Sequence, residues 1–391
     1  MQHPNPPHAV PCLFMRGGTS KGPFFNERDL PADIAKRNQV LLAIMGSPDK
    51  RQIDGLGGAH PLTSKLGIVR PGNVPGVDLE FLFAQLQPDH DMVDTTPNCG
   101  NMLAAVVPYA LESGMLHATS DTTTLRVLTL NTNMQCDITV QTPLGPNGQR
   151  FVADTGEARI DGVPGTSAPI QIQFLNTAGS VCGKLLPTGQ VKDHVKVLPT
   201  DSHNGFEPFG LEVTCIDNGM PLVLFKASDM GVSGYESAEA LNANAELKTR
   251  IEATRLQVSV LMGLGDVSQK NYPKMTMIAP PKQGGTLTTR SFIPHVCHDA
   301  IGVLAAVTVG TAGVLRGSVC DGVALMPIGV RQTLSIEHPT GEFSVALQTR
   351  EAPDLPGGHE VMQAALLRTA RLLMRGQAMV PAHIWNSGDK K

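Results

Sequence analysis

The feature that most constrains the fold is a pattern that recurs in the two halves of the chain. The first half reads "MRGGTSKGPFF" (15–25), "LTSKLGIV" (62–69) and "NCGNMLAAV" (98–106). The second reads "CIDNGMPLVLF" (215–225), "YPKMTMIAP" (272–280) and "VCHDAIGVLAAV" (296–307). Each half holds a glycine-containing turn into a strand, a lysine opening a strand and a cysteine opening an apolar helix, in the same order. Two similar units, each a sheet around a central helix, fit these periodicities better than alternating βαβ units do. A length of 391 residues also exceeds what one ordinary core supports. "GLGGAHP" does not open a helix as a dinucleotide fingerprint must, and "GAHPLTSK" misses the P-loop spacing, so nucleotide binding is unsupported.

Strand-like runs dominate: "PCLFM", "KLGIVR", "DLEFLFAQLQ", "TLRVLTLNT", "CDITVQT", "IQIQFLN", "LEVTCID", "PLVLFKA", "KMTMIAP" and "FSVALQT". "ADIAKRNQVLLAIMG" reads as an amphipathic helix, and "SAEALNANAELKTRIEATRLQVSVLMG" as a long, charged, surface-type helix or helix pair. "CGNMLAAVVPYALESG" and "CHDAIGVLAAVTVGTAG" are apolar nearly all round and should be buried, the first kinked or split by Pro108. The expected class is α+β, with two pseudo-symmetric lobes, each a mostly antiparallel mixed sheet rolled around a central helix. The expected divisions are a Pro-rich disordered leader (1–10), an N-terminal lobe (11–186), a C-terminal lobe (187–352) and a final segment (353–391) returning to the N-terminal lobe.

Net charge is −4, no Lys/Arg run exists and aromatics make up 4%, which leaves no footprint for nucleic acid. "IGVLAAVTVGTAGVL" falls short of a membrane span and contains glycines. "MQHPNPPHAV" lacks the shape of a signal peptide. Seven cysteines, an odd number without any C-x-x-C, support neither a disulfide framework nor a zinc knuckle, and point to a reducing, cytoplasmic compartment. Most of them should be small buried hydrophobes.

If a helix starts near Asn98, Cys99 lies in its first turn, where unpaired N–H groups favour an anion. Gly100 then permits close approach of a substrate carboxylate. The alternative is an inert packed thiol with Asn98 as N-cap. Cys297 repeats the placement, flanked by His295 and His298, and a pair of such thiols would suit a racemase. Lys65 precedes an apolar strand; it serves as a base only if a dry cleft between the lobes keeps it uncharged, and is otherwise a solvated strand-edge lysine. Arg16 and Arg290 sit among small hydroxyl residues and glycine, matched to carboxylate or else bridging loops. His295 and His298 lack a third metal ligand, Glu337 and His338 point to opposite faces of a strand, and no G-x-S-x-G elbow exists.

The motifs "MRGGTSKGPFF", "GSPDKRQIDGLGGAHPLTSK", "DTTPNCGNMLAAV", "RIDGVPGT", "TCIDNGMP", "GLGDVS", "TRSFIPHVCH" and "EHPTGEF" together resemble the PrpF family over residues 15–343. That resemblance implies a diaminopimelate epimerase-like fold and a cofactor-free isomerase acting on small unsaturated polycarboxylates. The run "GGAHPLTSK" behind "GSPDKRQIDGLGG" is similar to the branch acting on 4-oxalomesaconate. It implies a 1,3-allylic proton shift or keto–enol tautomerisation giving 4-carboxy-2-hydroxymuconate in lignin- or gallate-type catabolism. The alternative within the family is an aconitate or 2-methylaconitate isomerase. The family's catalytic lysine and cysteine fall on Lys65 and Cys99. Expected to bind substrate are Arg16, Ser64, Gly100, Asn101, Arg290, His295, Cys297 and His298, the two arginines on grounds of chemistry. No metal, cofactor, nucleic acid or membrane is expected, and a homodimer is allowed. Two further readings stay open: a two-thiol epimerase using Cys99 and Cys297, and a polycarboxylate sensor without turnover.

Overall fold

The computed structural model describes residues 6–96, 98–200 and 202–385. The chain divides into two compact units, Met1–Leu175 with Leu367–Lys391, and Asn176–Leu366. In chain order the first unit contains β1 (His8–Gly17), β2 (Ser20–Asn26), α1 (Ile34–Met45), β3 (Lys65–Pro71), β4 (Leu79–Leu86), β5 (Val93–Asp94), α2 (Gly100–Leu103), α3 (Val106–Glu112), β6 (Thr122–Thr129), β7 (Met134–Gln141) and β8 (Ile170–Phe174). The second contains β9 (Asp193–Val197), β10 (Phe209–Asp217), β11 (Pro221–Lys226), α4 (Ala238–Ala243), α5 (Ala245–Leu261), β12 (Lys274–Ala279), β13 (Leu287–Phe292), α6 (Val303–Val314), β14 (Arg331–His338), β15 (Gly341–Glu351) and β16 (His359–Arg368). A last strand, β17 (Ala370–Val380), pairs antiparallel with β1.

Strand order in the first unit is β8-β7-β6-β4-β3-β2-β1-β17, with β5 beside β4. In the second it is β16-β15-β14-β13-β12-β11-β10-β9. Each unit is antiparallel except at two junctions: β2/β3 and β4/β6 in the first, β11/β12 and β13/β14 in the second. Those junctions need long crossovers, and helices supply them: α1 and α2–α3 in one unit, α4–α5 and α6 in the other. The recurring sequence pattern is therefore a recurring topology, and the architecture is α+β.

Side-chain alternation assigns the sheet faces. In β3 and β4, Leu66, Ile68, Ala84 and Leu86 join the cluster built around α1. The intervening residues look the other way: Phe24 stacks with Phe81 and packs on Tyr109 of α3, and Lys65 lies over the Phe83 ring. α2 meets β1 to β4, and α3 meets β3, β7 and β17. In the second unit Val223 and Phe225 pack toward α4–α5, while α6 is buried from Ala305 to Val314 against β10, β11, β14 and β15. α1 is closed by Asp33, which accepts from Lys36 N, and by Gly46 in the left-handed region.

Several local expectations are corrected. All ten strand runs lie in strands, but the expected leader does not extend to residue 10: His8–Val10 already belong to β1, and Val10 is buried. Residues 1–5 of that leader lie outside the described residues. The divisions fall after Leu175 and Leu366 rather than at 186 and 352. The apolar helix after Cys99 breaks at Ala104–Ala105, ahead of Pro108, which becomes the third residue of α3, where its missing N–H is not needed. The charged "SAEALNAN…" segment is a pair split at Asn244, but α5 is no surface helix. It buries Ile251 to Arg255, and Arg255 binds Glu252 through two 2.7 Å contacts. The pair neutralises its own charge inside, which pattern reading cannot see.

"EHPTGEF" is a structural motif. Glu337 is buried and accepts from the N–H groups of Lys282 (2.8 Å), Gln283 (2.7 Å) and Gly285 (2.9 Å) and from the Thr288 hydroxyl. Burial acts to raise its pKa, but these donations together outweigh it and hold the carboxyl below the usual value of 4.5. A depressed folded pKa contributes stability that is present above the unfolded value and lost as pH falls through the folded one. The stability difference between pH 6 and pH 3, measured by urea unfolding, should therefore shrink in Glu337→Gln. At pH 6 that variant should be less stable than the parent.

Gly22 shows how tightly β2 meets β3: a Cβ there would sit 1.8 Å from the Lys65 carbonyl oxygen. Gly22→Ala should cost about 1–3 kcal/mol through forced backbone movement. Gly210→Ala, where a Cβ meets nothing within 4 Å, should be close to neutral. Thermal unfolding of the two variants checks this.

Candidate active site

Lys65 opens β3 on the sheet face that carries α2 and α3, and it is nine-tenths buried. Its Nζ donates to Gln85 Oε1, and Lys65 and Gln85 are cross-strand partners. Cys99 is half-buried and is itself the N-cap of α2, with extended backbone and no side-chain capping bond; its carbonyl accepts from Leu103 N at 2.9 Å. The expected cap, Asn98, instead donates to Thr129, Thr132 and the Met134 sulfur in the turn after β6. The chain thus places Lys65 and the start of α2 on one face of one unit.

With α2 only four residues long, the dipole argument loses weight. A helix terminus is worth about 0.3–1 kcal/mol to a nearby charge, against about 1.5–3 kcal/mol for one hydrogen bond to a charged group.

The "MRGG" turn seats this helix start. A Cβ on Gly17 would lie 2.2 Å from the Asn101 carbonyl oxygen, and one on Gly18 would lie 2.1 Å from Asn101 Oδ1. Asn101 Nδ2 donates to Thr19 Oγ1 at 2.9 Å. Arg16, expected to hold a carboxylate, uses Nη1 on Gly18 O (2.9 Å), Thr369 O (3.2 Å) and Thr369 Oγ1 (2.9 Å). Burial lowers its pKa, with Arg371 adding to the effect. Through this one nitrogen Arg16 bridges the turn after β1 to the residue between β16 and β17. Ser64 is fully buried and donates to Gln52 Oε1 at 2.7 Å. Gln52 also accepts from Ala59 N (2.9 Å) and donates to Ser47 (3.1 Å), stapling the long loop that ends at Lys65.

The second-unit residues are arranged differently from the expectation. Cys297 does not open a helix: α6 begins at Val303, and Cys297 sits in an isolated bridge with Phe292. It exchanges two hydrogen bonds with Asn242, 2.7 Å and 3.2 Å. Burial pushes its thiol up to about 11 despite the opposing pull of Arg290. Arg290 donates to Glu236 O (2.7 Å) and Thr289 O (2.8 Å), and burial lowers its pKa. His295 lies 3.4 Å from Glu252, and the exposed His298 turns back onto Ala300. The second unit therefore does not repeat the placement of Cys99 at a helix start. Five of the seven cysteines are buried and all are free. Lys274, the counterpart of Lys65, is half-buried, and burial lowers its pKa.

Sequence reading missed the amides that organise the site: Gln52, Gln85 and Asn131. Asn131 accepts from Phe83 N (2.9 Å) and donates to Phe83 O (2.8 Å) and Thr95 O (2.7 Å), fastening the approach to Cys99 onto β4. For Gln85 and Asn131 the only sequence signal is a polar residue within or beside a strand of apolar neighbours, and Gln52, in a polar loop, carries none. A cavity of about 740 Å³ bordered by Asn26, Arg28, Arg37, Arg70 and Ser113 contains none of the candidates. Its Arg70 is already paired with Glu27 and Glu80. Among the described residues no group of three or more His, Cys, Asp or Glu could hold a metal, and no helix is long and apolar enough to cross a membrane.

Two units of matching topology, each a sheet closed on a buried helix, define a duplicated α+β scaffold with the lysine and cysteine in the first unit. The chain belongs to the PrpF family, whose pattern ("PrpF protein") matches residues 8–381. It is 51% identical over 95% of its length to "(4E)-oxalomesaconate Delta-isomerase" of Novosphingobium sp. (strain KA1), covering 98% of that protein. It is 48% identical over 97% of its length to "4-oxalomesaconate tautomerase" of Pseudomonas putida, covering 99% of that protein. Among solved structures, that of methylitaconate-delta-isomerase superposes with a TM-score of 0.80 at 32% identity, covering 98% of this chain and 99% of that one.

Asn131→Ala should cost about 1–3 kcal/mol by leaving buried backbone groups unpaired. Amide hydrogen exchange should rise across residues 93–103 and stay unchanged around α5.

Proposed function

We propose that the chain is an isomerase that moves a proton along a three-carbon unit of 4-oxalomesaconate, with Lys65 and Cys99 as the proton-handling groups. The observation that carries this reading is the 48–51% identity to two proteins named for that compound, over 95–97% of the chain. The 32% identity to the methylitaconate enzyme favours the oxalomesaconate reading over a methylitaconate-type substrate. The seven free cysteines fit a cytoplasmic enzyme.

The chemistry follows from the substrate class. A carbon next to a conjugated keto acid carries an acidified proton. Lys65 takes that proton on its amine, and the electron pair spreads as a dienolate onto oxygen. Cys99 delivers its S–H proton to the far carbon, so the double bond moves and the substrate keeps its proton count. Water then returns a proton to the thiolate and removes one from the ammonium. Charge on the dienolate is the main barrier, and donors fixed in place lower it most. The N–H groups of Gly100 and Asn101 and the Asn101 amide are the donors assigned to a carboxylate. Arg16 and Ser64 serve instead to seat the two loops, and Cys297 is a buried thiol outside the chemistry.

Lys65→Met and Cys99→Ser should each lower turnover of 4-oxalomesaconate by about 10²–10⁴-fold with thermal unfolding preserved. Parallel assays with cis-aconitate and 2-methylaconitate should show far lower kcat/KM for the parent. Variants that both stay within a few-fold of the parent would refute the assigned roles.

A further inference from the structure

We infer that Gln85 is a positioning residue for the proton-transfer amine: its amide fixes where Lys65 Nζ points and leaves the remaining valence for substrate. This rests on the isomerase reading above, with Lys65 as base. The register places Gln85 on β4 directly opposite Lys65 on β3, on the face shared with α2. Nζ donates to Gln85 Oε1. The amide cannot turn over, because its nitrogen donates to Ser64 O (3.0 Å), Leu86 O (3.1 Å) and Pro61 O (3.3 Å). A flipped amide would set its oxygen against three carbonyl oxygens. The Phe83 ring lies 5.0 Å from Nζ and closes one further side.

An amide suits this task better than a carboxylate. A base must give up its proton again in every cycle, and an ion-paired carboxylate would hold the ammonium form by about 1–3 pK units. A neutral acceptor takes one N–H from either form of the amine and directs it with a smaller bias. Among the described residues no carboxylate forms an ion pair with Lys65. The device belongs to the first unit only: β13, the counterpart of β4, reads "LTTRSF" and offers no glutamine beside Lys274.

The test compares Gln85→Met and Gln85→Glu with the parent and with Lys65→Met, on 4-oxalomesaconate across pH, with thermal unfolding of each. In Gln85→Met kcat should fall about 10–100-fold with KM within a few-fold. The acid limb of the kcat/KM profile should move down by about half a unit to one unit, since the ammonium loses an acceptor. In Gln85→Glu that limb should move up by about 1–3 units. If one variant does not fold, the sign of the shift in the other decides. Limbs that stay in place while stability falls would reduce Gln85 to a packing role and overturn the inference, leaving the isomerase reading intact. An active Lys65→Met would instead remove that reading itself.

Discussion

A helix that is apolar on every side has to be enclosed, and in both halves of this chain a sheet does the enclosing. α6 is buried from Ala305 to Val314, and α2–α3 from Met102 to Ala110. Leaving such a surface in water would cost about 25 cal/mol for each Å² of apolar area. Each sheet therefore carries eight main strands, with its two parallel junctions where helices cross over. That requirement also fixes the lysine. Strand alternation in β3 gives Leu66 and Ile68 to the α1 side, so Lys65 must share the inner face with α2.

The inner face is made usable by small residues and amides rather than by charge. Gly17 and Gly22 let backbone approach backbone, and Gly18 admits the Asn101 side chain, where a Cβ would lie about 2 Å from another atom. Gln85 and Asn131 donate to backbone carbonyls beside them, and Gln52 accepts from the Ser64 hydroxyl and the Ala59 N–H. Two of the residues expected to bind substrate in this unit, Arg16 and Ser64, also make hydrogen bonds within the fold.

Much of this was legible in the sequence. The ten apolar or alternating runs are strands, and the recurring turn–lysine–cysteine order is a recurring topology, because period and turn chemistry are local signals. Helix starts were less legible. "VCHDAIGV" looks like "NCGNMLAAV", yet α6 waits for Gly302, since Cys297 is drawn into a bridge with Phe292 and bonds to Asn242. Charge misled in α5, where Glu252 and Arg255 cancel each other inside the unit. The hydrogen bonds that Arg16 and Ser64 make within the fold were not legible either. A hydrogen bond made by residues 353 positions apart, as between Arg16 and Thr369, has no trace in spacing.

The central claim is that one amine and one thiol handle protons at the two ends of the same three-carbon unit. Proton NMR of 4-oxalomesaconate in deuterated water, with the parent, Cys99→Ser and Lys65→Met, tests it most directly. The account predicts deuterium at the donor carbon without double-bond migration in Cys99→Ser, and no exchange at either carbon in Lys65→Met. Undiminished exchange in Lys65→Met, or complete migration in Cys99→Ser at the parent's rate, would contradict it.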